Sequence, residues 1–367
     1  MSEPIRVLQV FAALDSGGVS NFVMNLYRGM DTEQIQFDFA LTAGEKALFD
    51  DEVLSRGGRI FYFDSSMDIT ANLRLILREA GPFQVVHSHV FFFSGLVLAE
   101  ARKAKVPVRI AHAHNAYTGE VRTFSRGVYE YGMQLMIRLN ATHLLGCSEK
   151  ACRYVFGERI MKDSRASVIP DGIDCDRFAF DPEVRDQVRS EYGLIGKFVV
   201  GHVGHFNAAK NHKKILSVFE EVCHQRDDAV LLLVGDGMLE QSVRARVHEL
   251  GLEDKVIFAG AHRNVECFYQ AMDVFLFPSQ YEGFGMAMIE AQTSGLVCVA
   301  SDVVPKETNA DGRVVYLPLD ENDSHWAKML LSINQSNRSE YQKVVSSIFG
   351  IKRVCDLQCE IYLMGTN

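Results

Sequence analysis

Ile5-Arg-Val-Leu-Gln-Val-Phe-Ala-Ala-Leu-Asp-Ser-Gly-Gly-Val-Ser-Asn-Phe-Val-Met-Asn-Leu26 is the stretch from which the rest of the chain can be read. Ile5–Phe11 is a short, apolar, β-branched run of the kind that lies buried in a sheet. Gly17-Gly18 then open a helix with Val19, Phe22, Val23 and Leu26 on one face. The same alternation recurs, with strands expected at Phe37–Leu41, Arg59–Phe63, Val85–His87, Arg109–His112, His143–Gly146 and Ser167–Ile169 and helical stretches between most of them. Pro170-Asp-Gly-Ile-Asp-Cys-Asp-Arg-Phe178 breaks the pattern with turn residues and acids. A second alternation follows, with strands at Phe198–His202, Val230–Val234, Lys255–Phe258, Val274–Phe277, Val297–Ala300 and Val314–Leu317, and a helical tail runs from about Ser339 to Leu363. Strands separated by crossover helices run parallel, so the chain predicts two Rossmann-like, doubly wound α/β domains, joined near residue 175 and facing a cleft.

The chain has 367 residues, enough for two or three domains. Its 47% hydrophobic and 23% charged residues exclude disorder as the main theme. A net charge of −9 argues against a general nucleic-acid binder, which needs concentrated Lys and Arg. The charge is uneven: Ala101 to Pro170 holds 12 Lys and Arg against 5 Asp and Glu, or +7. A basic segment in an acidic chain points to an anionic partner for one face, against the plainer reading of scattered solvated charges. Met1-Ser-Glu-Pro-Ile-Arg-Val lacks the basic start and apolar core of a signal peptide, and the best apolar run, Val90 to Ala99, is too short to span a membrane. The eight Cys form no C-x-x-C pair, as expected of reduced, buried thiols. A cytoplasmic protein that meets membranes only at their surface is expected.

Ligands of open α/β sheets bind beyond the carboxyl ends of strands, so the loops there carry the chemistry. Val203-Gly-His-Phe-Asn-Ala-Ala-Lys-Asn-His-Lys-Lys214 ends a strand at Gly204 and begins a helix near Lys210. Lys210, His212, Lys213 and Lys214 at a helix start oppose its dipole by about 0.3–1 kcal/mol each, which makes sense if an anion sits there. The bland alternative is an exposed basic turn. Pro278-Ser-Gln-Tyr-Glu-Gly-Phe-Gly-Met-Ala-Met-Ile-Glu290 follows another strand. Gly283 and Gly285 let backbone approach a ligand, and Glu282 and Glu290 can face one pocket, the first suited to sugar hydroxyls and the second to ribose hydroxyls. Alternatively Glu282 caps the helix and Glu290 is solvated.

His87-Ser-His89 and His112-Ala-His114-Asn115 each put two rings on one strand face. Such pairs can hold zinc, but Cys and carboxylate partners at suitable spacing are absent, so no metal is expected. His114 and Asn115 sit where a strand opens into the cleft. Gly235-Asp-Gly237 mimics a dinucleotide fingerprint without its third glycine, a weak signal.

Together these residues resemble the retaining glycosyltransferases of family 4, which have the GT-B fold and use nucleotide-diphospho-sugars. The likeness covers nearly the whole chain. It rests on Gly17-Gly18-Val19, His114-Asn115, Ile169-Pro-Asp-Gly-Ile-Asp174 with Phe178, Gly204 with Lys210-Asn-His212, Val234-Gly-Asp-Gly237, and the Glu282 to Glu290 pair with seven residues between. The resemblance implies an acceptor domain at 1–175, a donor domain at 176–338 and a tail at 339–367 that crosses back onto the first. It assigns Lys210 to the diphosphate and Glu290 to the ribose. Glu282, with the Gly283 turn and the amides of Phe284, Gly285 and Met286, would take sugar and phosphates. Gly17, Gly18, Gly204 and His205 would line the donor, His114 would lie near the transferred sugar, and Asn115, Arg122 and Arg126 would face the acceptor. His114, Lys210 and Glu282 are the expected catalytic residues, with no cofactor.

Many relatives carry Arg where this chain has His205, which leaves more of the diphosphate charge to Lys210. The segment Val303-Val-Pro-Lys-Glu307 also lacks a glycine-rich stretch common there. The H-x-H-N strand end looks most like capsule and exopolysaccharide transferases, so a glycan or lipid-pyrophosphate acceptor, an anionic membrane surface and a UDP-sugar are the expected partners. A nucleotide-sugar epimerase or a non-catalytic nucleotide-sugar binder on the same scaffold is the rival reading. A glycoside hydrolase would explain two carboxylates but not the lysine-rich loop.

Overall fold

The computed structural model describes residues 3–14, 18–115, 123–310, 312–333, 338 and 342–364. Two all-parallel sheets carry the chain. The first comprises β1 (Ile5–Phe11), β2 (Ile35–Leu41), β3 (Ile60–Tyr62), β4 (Val85–Ser88), β5 (Val108–Ala113), β6 (His143–Gly146) and β7 (Ala166–Val168) in the order β3-β2-β1-β4-β5-β6-β7. The second comprises β8 (Phe198–Val203), β9 (Ala229–Val234), β10 (Val256–Gly260), β11 (Val274–Phe277), β12 (Cys298–Ser301) and β13 (Val314–Leu317) in the order β10-β9-β8-β11-β12-β13. Each expected strand is present, with ends displaced by two residues or fewer. The order reverses between β1 and β4 and between β8 and β11, the switch points at which such sheets open to ligands. Every residue of β2 and of β9 is buried, because helices cover both faces of each sheet.

The chain divides into two compact units, Met1–Gly172 with Ile351–Asn367, and Ile173–Gly350. The expected boundaries at 175 and 338 therefore both move. The tail is not one element: Gln342–Phe349 belongs to the second unit and Ile351–Leu363 to the first. Packing explains the split. Val345 and Phe349 are buried in the second unit, where the Phe349 ring meets Phe284 edge-on. Val354, Cys355 and Tyr362 join the core of the first, with the Cys355 thiol donating to Leu26 O of the helix Gly18–Gly29. A Cβ at Gly350 would lie 2.4 Å from the Ser346 backbone O, so glycine is required there, whereas one at Gly172 would press on the movable Ile351 Cδ1 at 2.8 Å.

In the first unit a carboxylate buried in the core is paired with two partly exposed arginines. Asp38 on β2 is bound by Arg6 and Arg59 at 2.5 and 2.7 Å. Burial pushes its carboxyl up, but the two guanidiniums outweigh that and hold it below the usual range. No helix among the described residues is long and apolar enough to cross a membrane.

Candidate active site

In the second unit, the loop after β8 does not enter its helix at Lys210, as the sequence led us to expect. Ala208–Lys210 forms a separate 3₁₀ turn, with the Asn207 carboxamide accepting from Lys210 N. Asn211 then adopts φ 56°, a left-handed conformation that Asn tolerates, and the helix runs His212–Cys223. The break redistributes the four basic residues. Lys210 turns to Glu282, its Nζ 2.6 Å from Oε1 and 4.9 Å above the Phe277 ring. Lys214 pairs with Asp323 at 2.6 Å, over the Trp326 ring. Lys213 is exposed. His212 is buried and stacked on Phe206 with ring centroids 4.2 Å apart. Burial, with Lys210 beside it, pushes its pKa down to about 4, so the ring is neutral at physiological pH.

The fingerprint-like Gly235 and Gly237 serve packing. Their φ values are 137° and 148°, and Cβ atoms there would lie 2.2 Å from Gly204 O and 2.7 Å from the Phe206 backbone. The loop after β9 therefore lies directly on the loop after β8, held by Phe206 N donating to Asp236 O. Gly204 is tight as well, since its Cβ would crowd the Lys210 chain at 3.1 Å. His205 is exposed, with Nδ1 3.2 Å from Asp236 Oδ1.

The loop after β11 is stitched to the Lys210 loop. Gln280 N donates to Ala209 O, and the Asn211 amide donates to Pro278 O. Gly285, at φ 97°, precedes the helix Met286–Thr293, whose first N–H groups open onto this loop. Gly283 and Phe284 are buried and Met286 is half-buried. Glu290, one turn in, is not solvated: Tyr269 Oη donates to its Oε2 at 2.6 Å. Burial raises the Glu290 carboxyl, with the Tyr269 hydrogen bond opposing it, and the same burial pushes the Tyr269 hydroxyl far up. Thus Glu282 faces a lysine and Glu290 a phenol, two separate environments for the two carboxylates.

In the first unit, the ends of β4 and β5 bring His87, His89, His112 and His114 into one stacked group. His114 Nδ1 lies 3.5 Å from Asp171 Oδ1, and neither atom has a hydrogen-bond partner. Asn115 is exposed. Gly18 is the first residue of its helix, with open space where a Cβ would be. Arg126 bonds Glu130 at 3.0 Å, the internal pairing that its acceptor-side assignment competes with. Gly17 and Arg122 lie outside the described residues.

Two models of known families match the chain, "Glycosyltransferase Family 4" over residues 16–177 and "Glycosyl transferases group 1" over residues 184–343. EpsF of Bacillus subtilis (strain 168), which bears a glycosyltransferase name, is 33% identical over 94% of this chain and 91% of its own length. The chain belongs to the family 4 glycosyltransferases. The capsular polysaccharide biosynthesis glycosyltransferase CapH of Staphylococcus aureus is 23% identical over 99% of both chains. Among solved structures, HepE of Anabaena in complex with UDP-glucose superposes with a TM-score of 0.81 at 16% identity, covering 97% of this chain and 98% of that one. That likeness shows the GT-B fold.

For a glycosyltransferase the residues that sequence reasoning missed are the partners. Tyr269, Asp171, Gln9 and Tyr362 each touch an expected site residue or its neighbour, and each lies far from it in sequence. Asp171 lay within the Ile169–Asp174 motif and Gln9 was a polar residue in the first strand, but neither signal named its partner. His87, His89 and His112 offer ring nitrogens within 4.8 Å of one another, a spacing that a divalent ion could bridge. Five of their six ring nitrogens, however, already bond to one another, His114, Gln9 or Tyr362.

Proposed function

We propose that this glycosyltransferase moves a sugar from a nucleotide-diphospho-sugar, in the first instance a UDP-sugar, to a glycan or lipid-pyrophosphate-linked acceptor in cell-surface polysaccharide assembly, with retention of configuration and without a metal. The observation that carries the donor reading is the Lys210–Glu282 contact, set between a glycine-capped helix start and the end of β8. The UDP complexes of HepE and the names of EpsF and CapH support the substrate class.

In this reading Glu290 takes the ribose, and Lys210 with the Phe284, Gly285 and Met286 amides takes the diphosphate. Gly204 and His205 belong to the same donor set, and Gly17 and Gly18 are assigned to the donor as well. The C1–O bond to phosphate breaks, its electron pair stays on the diphosphate, and preorganised donors stabilise that charge where water is excluded. The acceptor hydroxyl attacks C1 from the face the diphosphate leaves, and its proton passes to the departing phosphate oxygen. His114 lies near the transferred sugar, Glu282 holds a sugar hydroxyl, and Asn115, Arg122 and Arg126 are assigned to the acceptor.

The same reading places the enzyme in the cytoplasm, at the inner face of the plasma membrane. Phe124, Val128, Tyr131, Leu135 and Leu139 form an exposed stripe on the helix Phe124–Asn140, within the segment that carries +7. The direct test is a thermal-shift panel of nucleoside diphosphates followed by acceptor-dependent release of UDP. UDP should stabilise most, because bound ligand adds RT ln(1 + [L]/Kd). Stabilisation by GDP or ADP instead overturns the base, and sugar turnover without any acceptor requirement overturns the transfer.

A further inference from the structure

A buried hydrogen-bonded chain runs from the terminal helix to His114. Tyr362 Oη lies 2.8 Å from His87 Nδ1 and 3.3 Å from Gln9 Nε2. Gln9 Oε1 lies 2.9 Å from His89 Nε2, and His89 Nδ1 lies 2.8 Å from His114 Nε2. A side branch joins His87 Nε2 to His112 Nδ1 at 3.2 Å. All these side chains are buried. Burial, then the neighbouring imidazoles, pushes His87, His89 and His112 well below the ordinary histidine range, so these three rings are neutral. A neutral imidazole has one donor and one acceptor nitrogen, so a choice at one link fixes every other link.

Two polarities satisfy the chain, and they differ by a half-turn of the Gln9 amide, whose two ends have nearly the same shape. With Oε1 toward His89, that ring must donate from Nε2 and accept at Nδ1, so His114 donates from Nε2. A neutral His114 then sets its bare Nδ1 against the Asp171 carboxylate, lone pair to lone pair at 3.5 Å. Tyr362 donates to His87, His87 donates to His112, and the buried Nε2–H of His112, which has no partner, is stranded. The half-turn removes both faults. Gln9 donates to His89, His89 donates to His114, and His114 carries its proton on Nδ1, facing Asp171. Tyr362 donates to Gln9 Oε1 and accepts from His87, which accepts from His112. His112 Nε2 becomes a bare acceptor, and no ring N–H along the chain is stranded. A stranded buried donor costs the full desolvation of that group, which exceeds what a typical hydrogen bond of either polarity gains.

We infer that Gln9, His89 and Tyr362 are positioning residues, which hold the His114 ring and keep its proton on Nδ1, toward Asp171. Tyr362 stands 248 positions beyond His114 in sequence, so the terminal helix acts on the site through a hydrogen bond as well as through packing. The catalytic part of this inference rests on His114 lying near the transferred sugar, as proposed above. An imidazole N–H beside a carboxylate offers a donor and an acceptor to one hydroxyl group, whereas the opposite polarity would offer two acceptors.

Long-range proton–nitrogen spectra of the full chain, labelled with nitrogen-15 histidine, read each tautomer without any substrate. His114 should be protonated on Nδ1 and bare at Nε2 at neutral pH. Gln9→Met and Tyr362→Phe should give mixed His114 tautomers and lower kcat about tenfold with KM within about twofold. The double variant should be no worse than Gln9→Met alone, because both act through one chain. Rates are read as UDP release from whichever of UDP-glucose, UDP-galactose or UDP-N-acetylglucosamine the wild type turns over fastest. A His114 protonated on Nε2, alone or together with Nδ1, overturns the assignment. So does an unchanged tautomer and kcat in the folded single variants. His114→Ala within threefold of wild type would instead remove His114 from the reaction, and the positioning role with it, while leaving the tautomer pattern in place.

Discussion

Lys210 Nζ lies 2.6 Å from Glu282 Oε1, with both side chains mostly withdrawn from solvent, so the cation of the β8 loop is met by a carboxylate before any phosphate arrives. The pair is formally neutral. A diphosphate must therefore draw the ammonium partly away from Glu282, or rely more heavily on backbone N–H groups at the start of the helix Met286–Thr293. This makes the two residues separable by experiment.

Lys210→Ala should lower turnover by about 10²–10³, the scale expected for losing one preorganised donor to a developing negative charge. Steady-state rates of UDP release measure it. A variant within threefold of wild type would remove Lys210 from the donor site.

Glu282→Gln should move binding and turnover in opposite directions. With no competing carboxylate, Lys210 is free for phosphate, and UDP should bind several-fold more tightly by calorimetry. Turnover should fall about tenfold or more, because a sugar hydroxyl loses its charged acceptor. Weaker UDP binding in this variant would show that Glu282 holds the lysine in place for phosphate instead of competing with it.

Glu290 should reveal itself through pH. Burial raises its carboxyl above the unfolded value of 4.5. The folded chain then binds this proton more tightly than the unfolded chain, so stability falls as pH rises from about 4.5 through the folded value, and levels off above it. Glu290→Gln lacks that dependence. It should therefore be the more stable protein at neutral pH, with the higher Tm in a thermal melt. The gap should close as both are taken toward pH 4.5. UDP affinity should drop on the order of tenfold, the price of losing a charged acceptor for ribose. A variant less stable at neutral pH would show that the Tyr269 hydrogen bond outweighs burial.

Activity should survive excess chelator. Asp174-Cys-Asp176, the pair closest to a cation motif, lies in the chain between the sheets, where Asp174 Oδ1 instead accepts from Arg177 N. Complete loss of UDP release with EDTA, restored by Mg²⁺ or Mn²⁺, would mean that a metal shares the diphosphate charge with Lys210.

The strands were legible because each is a short, apolar run between turn residues, a pattern that burial on both sheet faces imposes on the sequence itself. The helix after β8 begins two residues later than expected because its start depends on Asn211 taking a left-handed conformation, which sequence permits but does not demand. The tail was read as one piece because its break at Gly350 follows from where Phe349 and Tyr362 find their cores, two separate destinations that local periodicity does not encode. Glu282 and Glu290 were visible as a spacing. Their different environments were not, since Lys210 and Tyr269 reach them from other elements. The histidine pairs were visible as H-x-H, but their order comes from Gln9 and Tyr362, one residue near each end of the chain.

The helix Phe124–Asn140 supplies the last prediction. Its inward side holds Glu130 and Ile137, while Phe124, Tyr131 and Leu139 are 90%, 65% and 62% exposed on the other. Their spacing of seven and eight residues keeps them on one stripe. Arg126 is spent on Glu130 at 3.0 Å, so the stripe is more apolar and less cationic than the sequence alone implied. The segment around it still carries +7, and near an anionic surface each free basic residue adds about 1 kcal/mol, fading beyond a Debye length. Liposome co-sedimentation should therefore show binding that favours anionic vesicles at low salt and persists in part at high salt, because ring and leucine insertion is not screened. Phe124→Asp with Leu139→Asp should abolish the salt-resistant fraction without lowering Tm, since neither side chain is buried. Equal, negligible binding to neutral and anionic vesicles at low salt would reject a membrane-surface site and point to a soluble acceptor.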